Sequence, residues 1–359
     1  MKLRYGSATA LACLALCTAQ AYAHHSVTAN FDPSREIEIR GAVVAFNYVS
    51  PHASMVIDGI GYENGQALST TPERWEIESS AVKGLAARGI KADTFAVGEQ
   101  IIVRGAPARN TALHRANSST FLHADGTPFG SAPAPAAPVA APAATGVKRV
   151  EGRWIPPYQP EGKTSTLPLN AAGQAAWNAY VQADSPANTC EPMSIPDIMN
   201  APSYLFDVRF GDGKVVLRNE AYDIVRTVPL GKDFAQVDPN GTWGKARAEI
   251  DGNALYVESK DYPASKWGLA AATQILGGGA DVPSSTKKTV VEKLTVSDDG
   301  LQLFYDYVVF DPMYMTHEHR AHVTLKRTAD DAPMVPYDCN KNSARQFSRA
   351  AGESLLPAQ

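Results

Sequence analysis

Polar and apolar residues alternate along much of this chain. Glu36-Ile37-Glu38-Ile39-Arg40 alternates with period two, as a half-buried strand does, and Gly41 to Phe46 continues it past a glycine bend. Ala53 to Asp58 predicts a partner strand. Glu73 to Glu78 alternates again, with Trp75 and Ile77 facing inward. Ser80 to Arg88 predicts a short helix with Gly89 at its C-terminal stop. Gly98 to Gly105 and Thr120 to His123 predict two further strands. Five short strands with one helix predict a small closed barrel of the oligonucleotide-binding (OB) type, a shape that implies no particular ligand.

The second half has a different rhythm. Leu169 opens a helix reaching about Ala183, and then strands follow closely. Tyr204 to Arg209 and Lys214 to Arg218 flank Gly211-Asp212-Gly213, a hairpin turn. Ala221 to Pro229, Gly244 to Ile250, Ala254 to Glu258, Thr289 to Val296, Leu301 to Val308 and His317 to Arg327 complete eight strands. They predict an antiparallel meander, curled or closed like a lipocalin-type barrel. The expected fold class is therefore mainly β, a small OB-like barrel followed by a larger curled sheet.

Composition divides the chain. Lys2 and Arg4, the apolar run from Ser7 to Cys17 and the small-x-small site Ala21-Tyr22-Ala23 predict a secretory signal peptide over 1–23. Pro128 to Gly146 carries a proline every few residues and predicts a semi-rigid spacer. The OB-like domain is expected over 24–127, the larger β domain over 147–345 and a flexible tail over 346–359. Without Lys2 and Arg4 the formal net charge of −4 becomes −6, and no basic stripe suggests a nucleic-acid surface. After Ala23 no stretch approaches the length of a membrane helix. The expected place of work is the periplasm or the exterior. Cys13 and Cys17 fit a lipid-attachment motif poorly and fall within the signal. Cys190 and Cys339 remain and, in an oxidising compartment, predict one disulfide closing a loop of about 150 residues.

His24-His25-Ser26, Phe31-Asp32, Gly41, Pro51-His52-Ala53, Trp75-Glu76, Gly98, Gly105 and Asp125-Gly126 together resemble a family of small secreted bacterial domains of unknown function. Members of that family open with a mature His-His-Ser terminus. They place Asn before the Pro-His pair and an aromatic after the Ala, where this chain has Ser50 and Ser54. The resemblance implies a fold and a compartment, but no reaction. Cys190-Glu191-Pro192, Gly244-Lys245, Asp251 to Leu255, Val291-Glu292-Lys293, Asp311-Pro312 and Tyr337-Asp338-Cys339 resemble a second class of secreted proteobacterial domains without assigned function. There a Tyr-Thr and a Pro-Trp tend to follow the Asp-Pro. Here His317-Glu318-His319 replaces part of that pattern.

Three sets of residues could carry chemistry. A mature His24 would offer an amine and an imidazole, and His25 and His52 would add imidazoles. Nitrogen ligands of this kind suit copper(II), although a frayed polar terminus that binds nothing accounts for the same residues. Met313, Met315, His317 and His319, two apart on a strand, would share a face and could hold copper(I), or His317 or His319 could act as a general base near Asp311. Trp243, Tyr256, Trp267, Tyr305 and Tyr307 could line an apolar ligand pocket in the larger barrel. Common nucleophile, phosphate-loop and zinc-protease motifs are absent. The expected function is a periplasmic binding protein without turnover, for copper or a small hydrophobic ligand. The alternative is a periplasmic isomerase, hydrolase or carrier acting on a small hydrophobic molecule.

Overall fold

The computed structural model describes residues 30–50, 52–130, 144–156, 167–179, 190–192, 194–200, 204–271 and 281–341. The expected signal, with His24 and His25 after it, residues 131–143 of the expected spacer and the expected tail lie outside them.

Six strands build the first sheet: β1 (Ile37–Asn47), β2 (Ser54–Glu63), β3 (Gln66–Ala67), β4 (Glu73–Glu78), β5 (Gln100–Pro107) and β6 (Arg115–His123). Their order is β1-β5-β6-β4-β2-β3, and β1 also pairs with β2. The sheet therefore closes on itself through five strands, with β4 and β6 parallel and helix α1 (Val82–Ala86) between β4 and β5. This is the expected OB-like barrel. Ile37, Ile39, Met55, Ile57, Ile77, Val103 and Phe121 fill it.

One long strand, β1, serves two neighbours at once, and that requires glycine. Gly41 pairs with Gly59, and a Cβ on Gly41 would sit 2.3 Å from the Asp58 carbonyl oxygen. Strand β2 runs five residues past the expected Asp58. Its glycines at 59 and 61 hide the alternation, and it ends in the Asn64-Gly65 turn, where both residues have positive φ. Helix α1 is shorter than its pattern suggested.

The second sheet contains β7 (Gly152–Ile155), β8 (Phe206–Gly211), β9 (Lys214–Asn219), β10 (Ile224–Pro229), β11 (Ala235–Gln236), β12 (Lys245–Asp251), β13 (Ala254–Lys260), β16 (Thr289–Val296), β17 (Gln302–Phe310) and β18 (His319–Arg327). Between β13 and β16 a separate hairpin pairs β14 (Ser265–Ala271) with β15 (Asp281–Ser284). The order β10-β9-β8-β7-β18-β17-β16-β13-β12-β11 is an antiparallel meander whose first strand, β7, pairs with its last, β18. The two edges meet. Leu230 bridges Ala248, and the Thr227 amide donates to the Val237 carbonyl at 2.9 Å. The sheet thus curls round an apolar interior, as alternation required.

At one end of that interior Trp154 is fully buried and donates from its ring nitrogen to the Val150 carbonyl at 2.9 Å. The Arg327 guanidinium stacks on the Trp154 ring at 4.0 Å and donates to the carbonyls of Gly300, Glu151 and Arg149. Helix α2 (Ala171–Asn178) is capped by Asn170, whose side chain accepts from the Gly173 amide at 3.0 Å.

Cys190 and Cys339 form the expected disulfide. The segment after Tyr337 also reaches the first sheet's neighbourhood, where Ser50 bridges Cys339 and the Asn340 amide donates to the Ser50 carbonyl at 2.9 Å. Nearby, buried Glu220 accepts from the amides of Leu205 and Val335 at 2.7 Å each and pairs with Lys83.

Candidate functional site

Two strands break the apolar rule at inward positions. In β10, Ile224, Arg226 and Val228 face inward. In β16, Val290, Glu292 and Leu294 do so. A lone buried charge would be very costly, and each side chain resolves the other. Arg226 Nη1 donates to Glu292 Oε2 at 2.6 Å and Nη2 to Oε1 at 2.8 Å. Both side chains are at most 1% exposed. The Tyr305 hydroxyl, from β17, donates to Glu292 Oε1 at 2.8 Å. Burial works against the guanidinium charge, but Glu292 outweighs it and raises the Arg226 pKa. Burial, and then the Glu292 charge, push the Tyr305 phenol well above its usual range.

More polar groups continue from this pair towards the end opposite Trp154. Lys288, just before β16, is buried and donates to Ser194 Oγ at 2.5 Å, the Gly268 carbonyl at 2.8 Å and the Ile195 carbonyl at 3.1 Å. Its ammonium sits 4.1 Å from the centre of the Tyr262 ring. Burial pushes its pKa down to about 7.

Four buried polar atoms in this region form no hydrogen bond with the described residues: Arg226 Nε, Ser259 Oγ, Tyr262 Oη and Ser284 Oγ. The hydroxyls of Ser259 and Tyr262 are neighbours, and the contact with Ser259 works against the burial that raises the Tyr262 pKa. Val257, Leu269, Val282 and Val290 of the same core are apolar. A shallow cleft of about 250 Å³ lies near the Asp212-Gly213 turn, away from these groups.

The expected site residues scatter. Tyr305 and Tyr307 face the interior with ring centres 5.7 Å apart, and Trp243 is buried against the same core. Tyr256 does not join them. It is out of phase with buried Leu255 and Val257, so it stands on the outer face, with Lys293 5.9 Å from its ring. The Trp267 side chain lies outside the described residues.

The Met313-to-His319 strand is also corrected. The chain turns there, and β18 begins only at His319. His317 is exposed and contacts Thr316 Oγ1 at 2.9 Å. His319 is buried, and burial lowers its pKa. They share no face. Asp311 is engaged elsewhere, accepting from the Ser285 amide at 2.6 Å, Ser285 Oγ at 2.8 Å and the Met313 amide at 3.0 Å. No cluster of three metal-ligating side chains occurs among the described residues.

His52 precedes β2, half-buried, and burial takes its imidazole down to about 4. Across the same barrel, Asn47, Ser54, Glu78 and Asn117 are successive cross-strand partners on one face. Glu78 is buried and accepts from Asn117 Nδ2 at 3.3 Å. Burial lifts its carboxyl to about 8 from an ordinary 4.5. Between those values the unfolded chain ionises Glu78 while the folded chain keeps its proton, so stability falls as pH rises and levels off above about 8. Glu78→Gln, which is neutral throughout, is expected to match the wild type near pH 4.5 and exceed it by about 4 kcal/mol at pH 8. Urea midpoints at the two pH values decide this. An equal difference at both would assign the effect to packing.

The polar cluster was legible only as a phase signal. Arg226 falls in step with Ile224 and Val228, and Glu292 with Val290 and Leu294. Ser194 and Tyr262 carry no local mark.

No curated protein matches this chain. Two solved chains of the fluorescent protein UnaG are similar at a low level. The wild type has a TM-score of 0.26 and 11% identity over 51% of this chain and 99% of its own. An asparagine-to-alanine mutant has 0.25 and 12% over 51% and 98%. Both likenesses are too slight to bear on the fold. No helix among the described residues is long and apolar enough to cross a membrane. Residues 10–117, which span β1 to β5 and the start of β6, match a family of unknown function, DUF6152.

Proposed function

We propose that this is a periplasmic or secreted binding protein whose curled sheet holds a small, mostly apolar molecule bearing an uncharged oxygen. One observation carries this reading: among mostly apolar core side chains, Arg226 Nε and Ser284 Oγ are buried with no hydrogen-bond partner among the described residues, and the hydroxyls of Ser259 and Tyr262 have at most each other. Leaving such a group unsatisfied costs about 1–3 kcal/mol, so native interiors supply a water or a ligand atom. Arg226 already has Glu292 as its counter-charge, which favours a neutral oxygen over an anion. The cysteine pairing and the signal-like leader support the compartment.

Native mass spectrometry of protein purified from periplasm should show a co-purified small molecule. Its rebinding should weaken by about 3–10-fold in Tyr262→Phe and in Ser259→Ala, each of which loses one hydrogen bond. Unchanged affinity in both variants would remove the ligand from this interior. The second reading is copper held by His24, His25 and His52, the imidazole set that the sequence offers. Metal analysis of the same preparation separates the two.

A further inference from the structure

We propose that Ser194 and Lys288 form a nucleophile–base pair that takes an acyl group from a carboxylic ester. The inference goes beyond the binding reading. Ser194 Oγ and Lys288 Nζ are 2.5 Å apart. The other two partners of the nitrogen, the carbonyls of Gly268 and Ile195, can only accept. A neutral amine has two N–H groups and one lone pair. Donating to both carbonyls leaves its lone pair for the serine proton. A charged amine has three donors, and then the serine proton turns to the Gly268 carbonyl, 2.6 Å from Oγ. Both protonation states are thus fully hydrogen-bonded, and the proton can pass from oxygen to nitrogen without other rearrangement.

The surroundings suit that transfer. Burial weakens the charged amine, and Arg226 does so too, while Asp311 and Glu292 favour the charge. The net position near neutrality is where a base works best. A free donor stands close by. Ser284 Oγ packs so tightly against Gly268 that a Cβ there would overlap it, and it has no partner among the described residues. Its hydroxyl can donate to the oxygen that becomes negative as the carbonyl is attacked. Ser194 follows Cys190 closely in the chain, three residues after exposed Glu191.

Ser194 Oγ bonds to the carbonyl carbon as its proton passes to Lys288 Nζ. The tetrahedral adduct collapses, the carbon–alkoxide bond breaks, and the leaving oxygen takes the proton from Nζ as an alcohol. Ser194 is left acylated. A water, deprotonated by neutral Lys288, then adds to the acyl carbon. Ser194 leaves with the proton, and a carboxylic acid is released.

The test uses the full mature chain and p-nitrophenyl acetate. A single acetyl adduct should appear by intact mass and map to Ser194, with its formation rate rising through about pH 7. Ser194→Ala should abolish it. Lys288→Arg keeps a positive donor but cannot accept the proton, so it should slow acetylation by about 10²–10⁴-fold with the thermal transition retained. Lys288→Met should do the same, and agreement between the two rules out a packing effect. No adduct from about pH 6 to about pH 9, an adduct elsewhere, or an undiminished rate in a folded Lys288→Arg would each overturn the pair. Ligand binding by Ser194→Ala, which keeps Tyr262 and Ser259, reports on the binding reading separately.

Discussion

Glu292→Gln is expected to destabilise the protein by about 3–5 kcal/mol, because it leaves the buried Arg226 guanidinium without its counter-charge. Arg226 is 1% exposed, and its Nε already lacks a partner among the described residues. Glutamine keeps the shape but offers one acceptor oxygen where two now receive Nη1, Nη2 and the Tyr305 hydroxyl. Tyr305→Phe should cost less, about 1–2 kcal/mol, since the ion pair survives it. The double variant Arg226→Met with Glu292→Leu should recover most of the loss, because it removes both desolvated charges together. Urea unfolding at constant slope measures all three. A loss below about 1 kcal/mol for Glu292→Gln would mean that water reaches the pair.

Replacing Cys190 and Cys339 by serine should cost about 4–5 kcal/mol, since the bond closes a loop of 149 residues in the unfolded chain. For a protein of this size that lowers the melting temperature by roughly 6–7 °C. The bond joins the loop carrying Ser194, Ile195 and Ile198 to the segment carrying Tyr337. That ring packs 4.5 Å from Tyr222 and 5.5 Å from Tyr204. Differential scanning calorimetry of the double variant is the measurement, with intact mass showing no free thiol in the wild type. An unchanged transition would mean that the contacts around Tyr337 hold the loop without the bond.

Legibility varied with how local the determining interactions were. Glu73–Glu78 and Thr289–Val296 were read with their observed bounds because each alternates cleanly between a wet face and a dry one. Strand β7 went unread. Its four residues, Gly152 to Ile155, are too short to show a period, and pairing with β8 and β18 makes them a strand. Histidine chemistry is conspicuous in a sequence, but the spacing of His317 and His319 puts them on one face only in a straight strand. The turn at 312–318, anchored by Asp311 accepting the Met313 amide, decided otherwise.

By itself the sequence determined what depends on near neighbours. Alternation placed most strands, the Asp212-Gly213 turn with two positive φ values set the β8–β9 hairpin, and the two cysteines outside the expected signal set the disulfide. Only the tertiary structure decided how the sheets close and what meets inside them. Arg226 finds Glu292 66 residues away, and Lys288 finds Ser194 94 residues away. Nothing local encodes either pairing. A charge in the apolar phase of a strand announces only that some partner must exist. Which residue it is depends on strand order, and strand order is settled by the burial of the whole interior at once.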